Sequence, residues 1–193
     1  RFPDAPPIVY KKMVGNSVPW QYLRGWARHL VVPEQPDLVL IYTIGEPAAL
    51  DALLQELRRG CTADIIVPSI HWRERDIPNW GQTEDAADQE VAAVRAVCQK
   101  YGVEFVESRS EWAQYLKENQ LEIPDLLRDA VHQSEYGAQI ININIARHIH
   151  RASEFAYDPE SRERRLNVGE DAAVRQTEDA LTISFEGRRI DLI

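Results

Sequence analysis

The stretch Asp37-Leu38-Val39-Leu40-Ile41-Tyr42-Thr43-Ile44 is almost continuously apolar and ends at Gly45-Glu46-Pro47, a turn composition. Consecutive apolar residues are typical of a parallel strand with helices on both faces, because neither face then meets water. We therefore predict a central strand here, and this strand makes an α/β fold the leading interpretation.

Strand and helix patterns alternate on both sides of this stretch. The strand patterns are short and rich in Ile and Val, and the helix patterns repeat apolar residues every three or four positions. Such alternation predicts a parallel sheet wrapped by helices, with right-handed crossovers. The other predicted strands are 8–14, 63–68 and 103–107, and the predicted helices are one beginning at Pro19 and those at 48–59, 84–101, 111–118 and 136–150.

Apolar stripes predict which faces of the first two helices are buried. Gly60 suits the C-terminal cap of the second helix. The stripe of the first helix is Trp20, Leu23, Trp26, Ala27 and Leu30, and that of the second is Leu50, Leu53, Leu54 and Leu57.

The character of the chain changes after residue 150. Residues 151–165 are heavily charged and include Asp158-Pro159, a linker-like composition. Residues 180–185 and 189–193 read as two strands joined at Glu186-Gly187, either a short β-hairpin or the start of a β-sandwich. We therefore predict an α/β domain over 1–152, and a charged linker with a partial β segment over 153–193.

Composition excludes several classes of partner. The net charge of −9 argues against nucleic acid, whose binding needs a basic surface. No apolar run approaches the ~20 residues that a membrane span requires.

Cys61 and Cys98 have no metal-type spacing, so buried free thiols are expected, although a disulfide between them stays open. Neither a metal site nor a cofactor is predicted, and the sequence does not indicate the oligomeric state.

The tetrapeptide Asp129-Ala130-Val131-His132 carries the clearest chemistry. A carboxylate three residues before an imidazole, on a turn that leads into a helix, can hold the ring while the imidazole moves a proton. This is the acid–base half of a serine-type hydrolase. The alternative is a solvated loop histidine, with Asp129 as the N-cap of the helix.

Two further places invite a functional interpretation. Ser17, in the turn Gly15-Asn16-Ser17 after the predicted strand 8–14, is a weak candidate nucleophile, since Gly, Asn and Ser favour turns in any case. His71 and Trp72 follow the strand 63–68 and can line a substrate cleft, where an indole face stacks on a sugar ring. A structural Trp on the sheet rim is the competing interpretation.

Together these residues resemble the SGNH, or GDSL-type, hydrolase family. Residues 36–45 resemble its third sequence block, residues 129–137 its fifth block, and Val14-Gly15-Asn16-Ser17 lies where its second block is expected. The likeness covers residues 8–150. It implies a flavodoxin-like, three-layer α/β/α fold and hydrolysis of acyl esters, often acetyl esters of sugars, by a secreted or periplasmic enzyme.

The resemblance also implies roles for single residues. Asp129 would orient the ring of His132, which would be the general base, and the Gly15 amide would donate to the oxyanion. The nucleophilic serine of the family stands in a Gly-Asp-Ser turn after a first strand, which the resemblance places before residue 1. The third block normally continues to an Asn that donates to the oxyanion, and Pro47 occupies that position here.

Two functions follow from these matches and departures. One is a serine esterase acting on a small-molecule or polysaccharide ester. The other is a non-catalytic relative that binds carbohydrate or a partner.

Overall fold

Three short parallel strands form the sheet in the computed structural model, which describes residues 8–13, 19–42, 46–80, 86–149, 168 and 173–184. They are β1 (Leu38–Leu40), β2 (Asp64–Pro68) and β3 (Glu104–Val106), in the order β1-β2-β3. Both pairings are parallel, with Leu38 opposite Asp64 and Ile66 opposite Glu104. The predicted parallel sheet is confirmed.

A helix follows each of these strands, as crossover connections require. Three 3₁₀ segments complete this part of the chain: Val32–Glu34, Glu74–Asn79 and Ile123–Leu126. The helices are α1 (Pro19–Gln21), which continues into a π-helical segment Tyr22–Val31, α2 (Pro47–Gly60), α3 (Ala86–Lys100), α4 (Ser108–Glu118) and α5 (Glu135–His148).

Alternate residues of β2 belong to two separate cores. Ile65 and Val67 pack in a cluster with α2 and the end of α3, whereas Ile66 packs with α4, α5 and the segment Ile123–Leu126. Successive side chains of a strand point to opposite faces, so the sheet has helices on both sides. This arrangement is the predicted three-layer α/β/α fold.

The buried stripe of α2 is confirmed, since Leu50, Leu53, Leu54 and Leu57 are all buried. Gly60 is the last residue of this helix, and a packing contact explains the glycine. A Cβ added there would lie 2.5 Å from a methyl group of Val32.

The predicted strand 8–14 is wrong over its described residues. Residues 8–13 have no regular structure, and Ile8, Val9 and Tyr10 are 94, 80 and 80% exposed. An apolar run becomes a strand only where a neighbouring strand pairs with it, and no described strand does so here.

The prediction that 37–44 is a central strand covered on both faces is also wrong over its described residues, 37–42. β1 is three residues long and lies at one end of the described sheet. Leu38 and Leu40 are 44 and 49% exposed, while Val39, on the opposite face, packs against the first core.

The first helix begins at Pro19 as predicted, but its stripe is only partly buried. Ala27 is fully buried, whereas Trp20 and Leu30 are 49 and 39% exposed. Gly25 has φ +117°, a left-handed conformation that interrupts the helix. The residues before and after Gly25 therefore do not share one helical phase.

The C-terminal region forms a hairpin, but the strand predicted at 180–185 pairs with a different strand from the one predicted. β4 (Val174–Gln176) pairs antiparallel with β5 (Leu181–Ile183), and Thr177 and Ala180 close the turn between them. The short β4, with a single apolar residue, was not predicted. The linker 151–165, the join at Glu186-Gly187 and the strand 189–193 lie outside the described residues, so the domain boundary at 152 stays a prediction.

Candidate acid–base site

The candidate site lies on a loop between the segment Ile123–Leu126 and α5, and backbone contacts close this loop. The amide of Arg128 donates to the carbonyl of His132 at 2.8 Å, and a single β-bridge joins Leu127 to Gln133. Asp129 and His132 are therefore brought to the tip of a short, closed loop.

Ser134, and not Asp129, is the N-cap of α5. The Ser134 hydroxyl oxygen accepts the amide proton of Gly137 at 3.2 Å and donates to the carbonyl of Leu126 at 3.1 Å. The interpretation of Asp129 as a helix cap is wrong, and its carboxylate serves the loop instead.

Asp129 binds both the backbone and the ring of His132. Its Oδ1 accepts the amide protons of Val131 at 2.9 Å and of His132 at 2.7 Å. Both carboxylate oxygens lie 2.9 Å from the His132 Nδ1. An ionised carboxylate can only accept, so Nδ1 carries the proton and Nε2 of the neutral ring is free to take one.

The same contacts set the charge of Asp129. The amides of His132 and Val131, and then the His132 ring, lower the pKa of the Asp129 carboxyl far below its usual range. About half of each side chain is exposed, and Nε2 has no hydrogen bond to a described residue. The pair is thus an anionic carboxylate holding an accessible imidazole, the arrangement that general-base chemistry requires.

His71 lies behind this loop. Its side chain is 2% exposed, and its Nε2 is 2.9 Å from the carbonyl oxygen of Val131. Its Nδ1 is 2.5 Å from the hydroxyl of Tyr42, two residues after β1. The sequence predicted a substrate contact for His71, but a ligand could reach this ring only if these partners moved away.

Trp72 packs against charged groups that the sequence analysis did not single out. The Arg109 guanidinium lies 3.7 Å from the centre of the Trp72 ring, and Arg109 and Arg73 both contact the Asp76 carboxylate. Burial alone would raise the pKa of Asp76, but the Arg73 amide and the two guanidinium groups hold that pKa below its usual range. The indole is 8% exposed and borders a groove of about 400 Å³ along α4. Trp72 as a substrate-binding residue stays a prediction.

Gly15 and Ser17 lie outside the described residues, so their predicted roles as oxyanion donor and weak candidate nucleophile stay predictions.

Across the described ranges, no three His, Cys, Asp or Glu side chains come together as a metal site. Nor is any helix in those ranges long and apolar enough to cross a membrane. Cys61 and Cys98 are buried free thiols, as expected.

Burial of His71 predicts a loss of stability in mild acid. Desolvation is the main cause that lowers the pKa of His71 from 6.5 to about 4, with Arg73 and Arg109 adding to it and Val131 and Asp76 opposing it. Between these values the unfolded chain binds one proton more than the folded chain. The free energy of unfolding therefore falls as the pH is lowered from about 6.5 to about 4, by about 1.4 kcal/mol per unit and about 3 kcal/mol in all.

Urea unfolding at pH 7, 6 and 5 measures this slope. His71→Gln should flatten it, whereas His29→Gln, which removes an exposed imidazole, should not. An unchanged slope in His71→Gln would show that another group causes the acid sensitivity. The low pKa of Asp129 acts in a separate window, because its contribution is present above the ordinary Asp pKa and is lost only as the pH falls below about 4.

Comparisons with known proteins establish the fold. No protein-family model and no curated protein matches the chain. The acetylxylan esterase Axe2 from Geobacillus stearothermophilus matches with a TM-score of 0.54 and 20% identity, over 66% of this chain and 65% of that one. A protein from Parabacteroides merdae described as a GDSL-like lipase matches with a TM-score of 0.55 and 17% identity, over 67% of each chain.

Catalytic mutants of Axe2 are among the matching structures. They replace a serine, an aspartate and a histidine, and the last two are three positions apart. The chain spans about two thirds of the length of these proteins. At such identities the likeness concerns the fold, and it confirms the α/β/α architecture that the sequence resemblance predicted.

Proposed function

We propose that this chain carries the acid–base pair of a serine esterase that hydrolyses acyl esters, in particular acetyl esters of carbohydrate. One observation supports the proposal most directly: the Asp129 carboxylate lies 2.9 Å from Nδ1 of His132, which leaves Nε2 as the basic nitrogen. The substrate is a small-molecule or polysaccharide ester.

In the proposed reaction, Nε2 of His132 takes the proton of a serine hydroxyl as that oxygen attacks the acyl carbonyl. The protonated ring then gives the proton to the leaving sugar oxygen. Water attacks the acyl-enzyme in the same way and releases acetate. Asp129 stabilises the imidazolium at each stage, and we propose the Gly15 amide as a donor to the oxyanion.

The three-residue spacing between the aspartate and histidine of the Axe2 catalytic mutants supports these roles, since Asp129 and His132 have the same spacing. In that esterase the serine precedes the aspartate by more residues than the 128 that stand before Asp129 here. We propose the serine of a Gly-Asp-Ser turn as the nucleophile, as the resemblance implies, with Ser17 as the weaker candidate.

The alternative is a non-catalytic domain of the same fold that binds carbohydrate or a partner. Pro47 favours it, because this residue begins α2 where the resemblance implies an Asn donor, and proline has no N–H or amide side chain to offer. Loss of one oxyanion donor typically costs about 2.7–4 kcal/mol of transition-state stabilisation.

Two measurements separate the candidates. The coding sequence ahead of the Arg1 codon should encode an apolar strand followed by Gly-Asp-Ser. Protein that includes any such segment should release acetate from acetylated xylo-oligosaccharides and should be labelled on one serine by a fluorophosphonate. Labelling of Ser17 would make Ser17 the nucleophile. If no acetate is released and no serine is labelled, the remaining function is that of a binding domain.

A further inference from the structure

We propose that His71 is a positioning residue that aims the Asp129–His132 pair by holding the peptide group between Val131 and His132. This inference rests on the proposed esterase function for its kinetic consequence, but the contact itself can be tested without activity.

The hydrogen bonds fix the protonation of His71. A carbonyl oxygen can only accept, so the 2.9 Å contact with Val131 requires a proton on Nε2 of His71. In the neutral ring Nδ1 is then an acceptor, and the Tyr42 hydroxyl donates to it across 2.5 Å. Burial raises the pKa of Tyr42, so this hydroxyl keeps its proton. Tyr42 therefore selects the tautomer that binds the loop.

The bond from His71 acts on the same peptide unit as a bond from Asp129. The carbonyl of Val131 accepts from His71, and the N–H of that peptide, which belongs to His132, donates to the Asp129 Oδ1 at 2.7 Å. Both polar atoms of one peptide plane are thus engaged. Rotation of the plane would break both bonds, and the Asp129 Oδ1 that binds the His132 amide is the same atom that lies 2.9 Å from Nδ1 of the ring.

A second contact from the same side restrains the preceding peptide. The amide of Glu74 donates to the carbonyl of Ala130 at 3.1 Å. The loop after β2 therefore binds two successive carbonyls of the Asp129–His132 loop. The Trp112 ring, 5.1 Å from the His71 ring between centroids, packs against the imidazole and keeps it in place.

Three variants separate positioning from packing. His71→Gln keeps an N–H donor near the position of Nε2, His71→Leu keeps bulk without a donor, and Tyr42→Phe removes only the hydroxyl that selects the tautomer. In the protein that releases acetate in the assay above, we expect His71→Leu to lower kcat by about 10- to 100-fold and to leave KM within about twofold. A small misplacement of a catalytic group has this effect. His71→Gln should recover most of that loss.

Hydrogen exchange of the His132 amide is the readout that needs no activity. We expect about tenfold faster exchange in His71→Leu, as the loss of one hydrogen bond predicts, and near wild-type exchange in His71→Gln. Exchange of the Ile141 amide, in the middle of α5, should stay unchanged and so exclude global unfolding. If His71→Leu does not fold, Tyr42→Phe should show mixed His71 tautomers in ¹⁵N spectra and faster His132 exchange.

The positioning role of His71 and the esterase function can be refuted independently of each other. Wild-type exchange at His132 in folded His71→Leu, or in Tyr42→Phe, would overturn the positioning role even if the esterase is active. An inactive wild-type protein in which exchange responds as expected would overturn the esterase function and retain the contact.

Discussion

Asp129→Asn is expected to lower the rate of acetyl-ester hydrolysis by about 10²- to 10⁴-fold while the protein stays folded, if the proposed esterase function is correct. Asn is close in shape to Asp, and its amide oxygen can keep the backbone bonds to Val131 and His132. Its NH₂ group would then face Nδ1 of His132 in place of Oδ2. That contact favours a proton on Nε2, and Nε2 could no longer accept the proton of a serine.

The measurement is kcat/KM for an acetylated xylo-oligosaccharide, together with thermal unfolding. His132→Ala should lose a similar factor, and the double variant should lose little more, since two residues that act as one unit are not additive. His29→Ala is the matched control and should keep the wild-type rate. Equal rates for wild-type and His132→Ala would end the catalytic role of the pair.

Local patterns were enough to predict the sheet and most of its helices. The stripe of leucines in α2 and the alternation of strand and helix depend on neighbours within one or two turns, and the structure follows them. Local patterns did not predict that residues 8–13 stay irregular or that β1 is short and half-exposed, because burial of a strand depends on what lies beside it. Leu38 and Leu40 remain half-exposed at the end of the described sheet.

The contacts of the candidate site were likewise predictable only between residues that are close in the sequence. The spacing of Asp129 and His132 is visible in the sequence, and the structure brings their side chains into contact. The bonds from His71 to Tyr42 and to Val131 join residues 29 and 60 positions apart. No spacing rule reaches so far, although the common position of Tyr42 and His71 after parallel strands was a signal that could have paired them.

Gly137→Ala is expected to destabilise the protein by about 3 kcal/mol and to lower its thermal midpoint by about 10 °C. Gly137 lies in the first turn of α5, where Ala would ordinarily be the better residue by about 1 kcal/mol. A Cβ at this position would lie 2.3 Å from the carbonyl oxygen of Leu126 and 2.7 Å from the Trp112 ring. The nearer atom belongs to the backbone, so rotation of a side chain cannot relieve the clash.

The sign of this change distinguishes packing from helix propensity. The Leu126 carbonyl also accepts the amide of Ser134 at 2.9 Å, so moving it away from α5 strains the bond that closes the Asp129–His132 loop. Asn142→Ala, at an exposed position of the same helix, is the control and should change stability by no more than about 0.5 kcal/mol. If Gly137→Ala were as stable as the wild-type protein, α5 would have room to retreat from Leu126. The glycine would then not be what fixes the helix against the loop, and the close approach of α5 could not explain why this position is Gly.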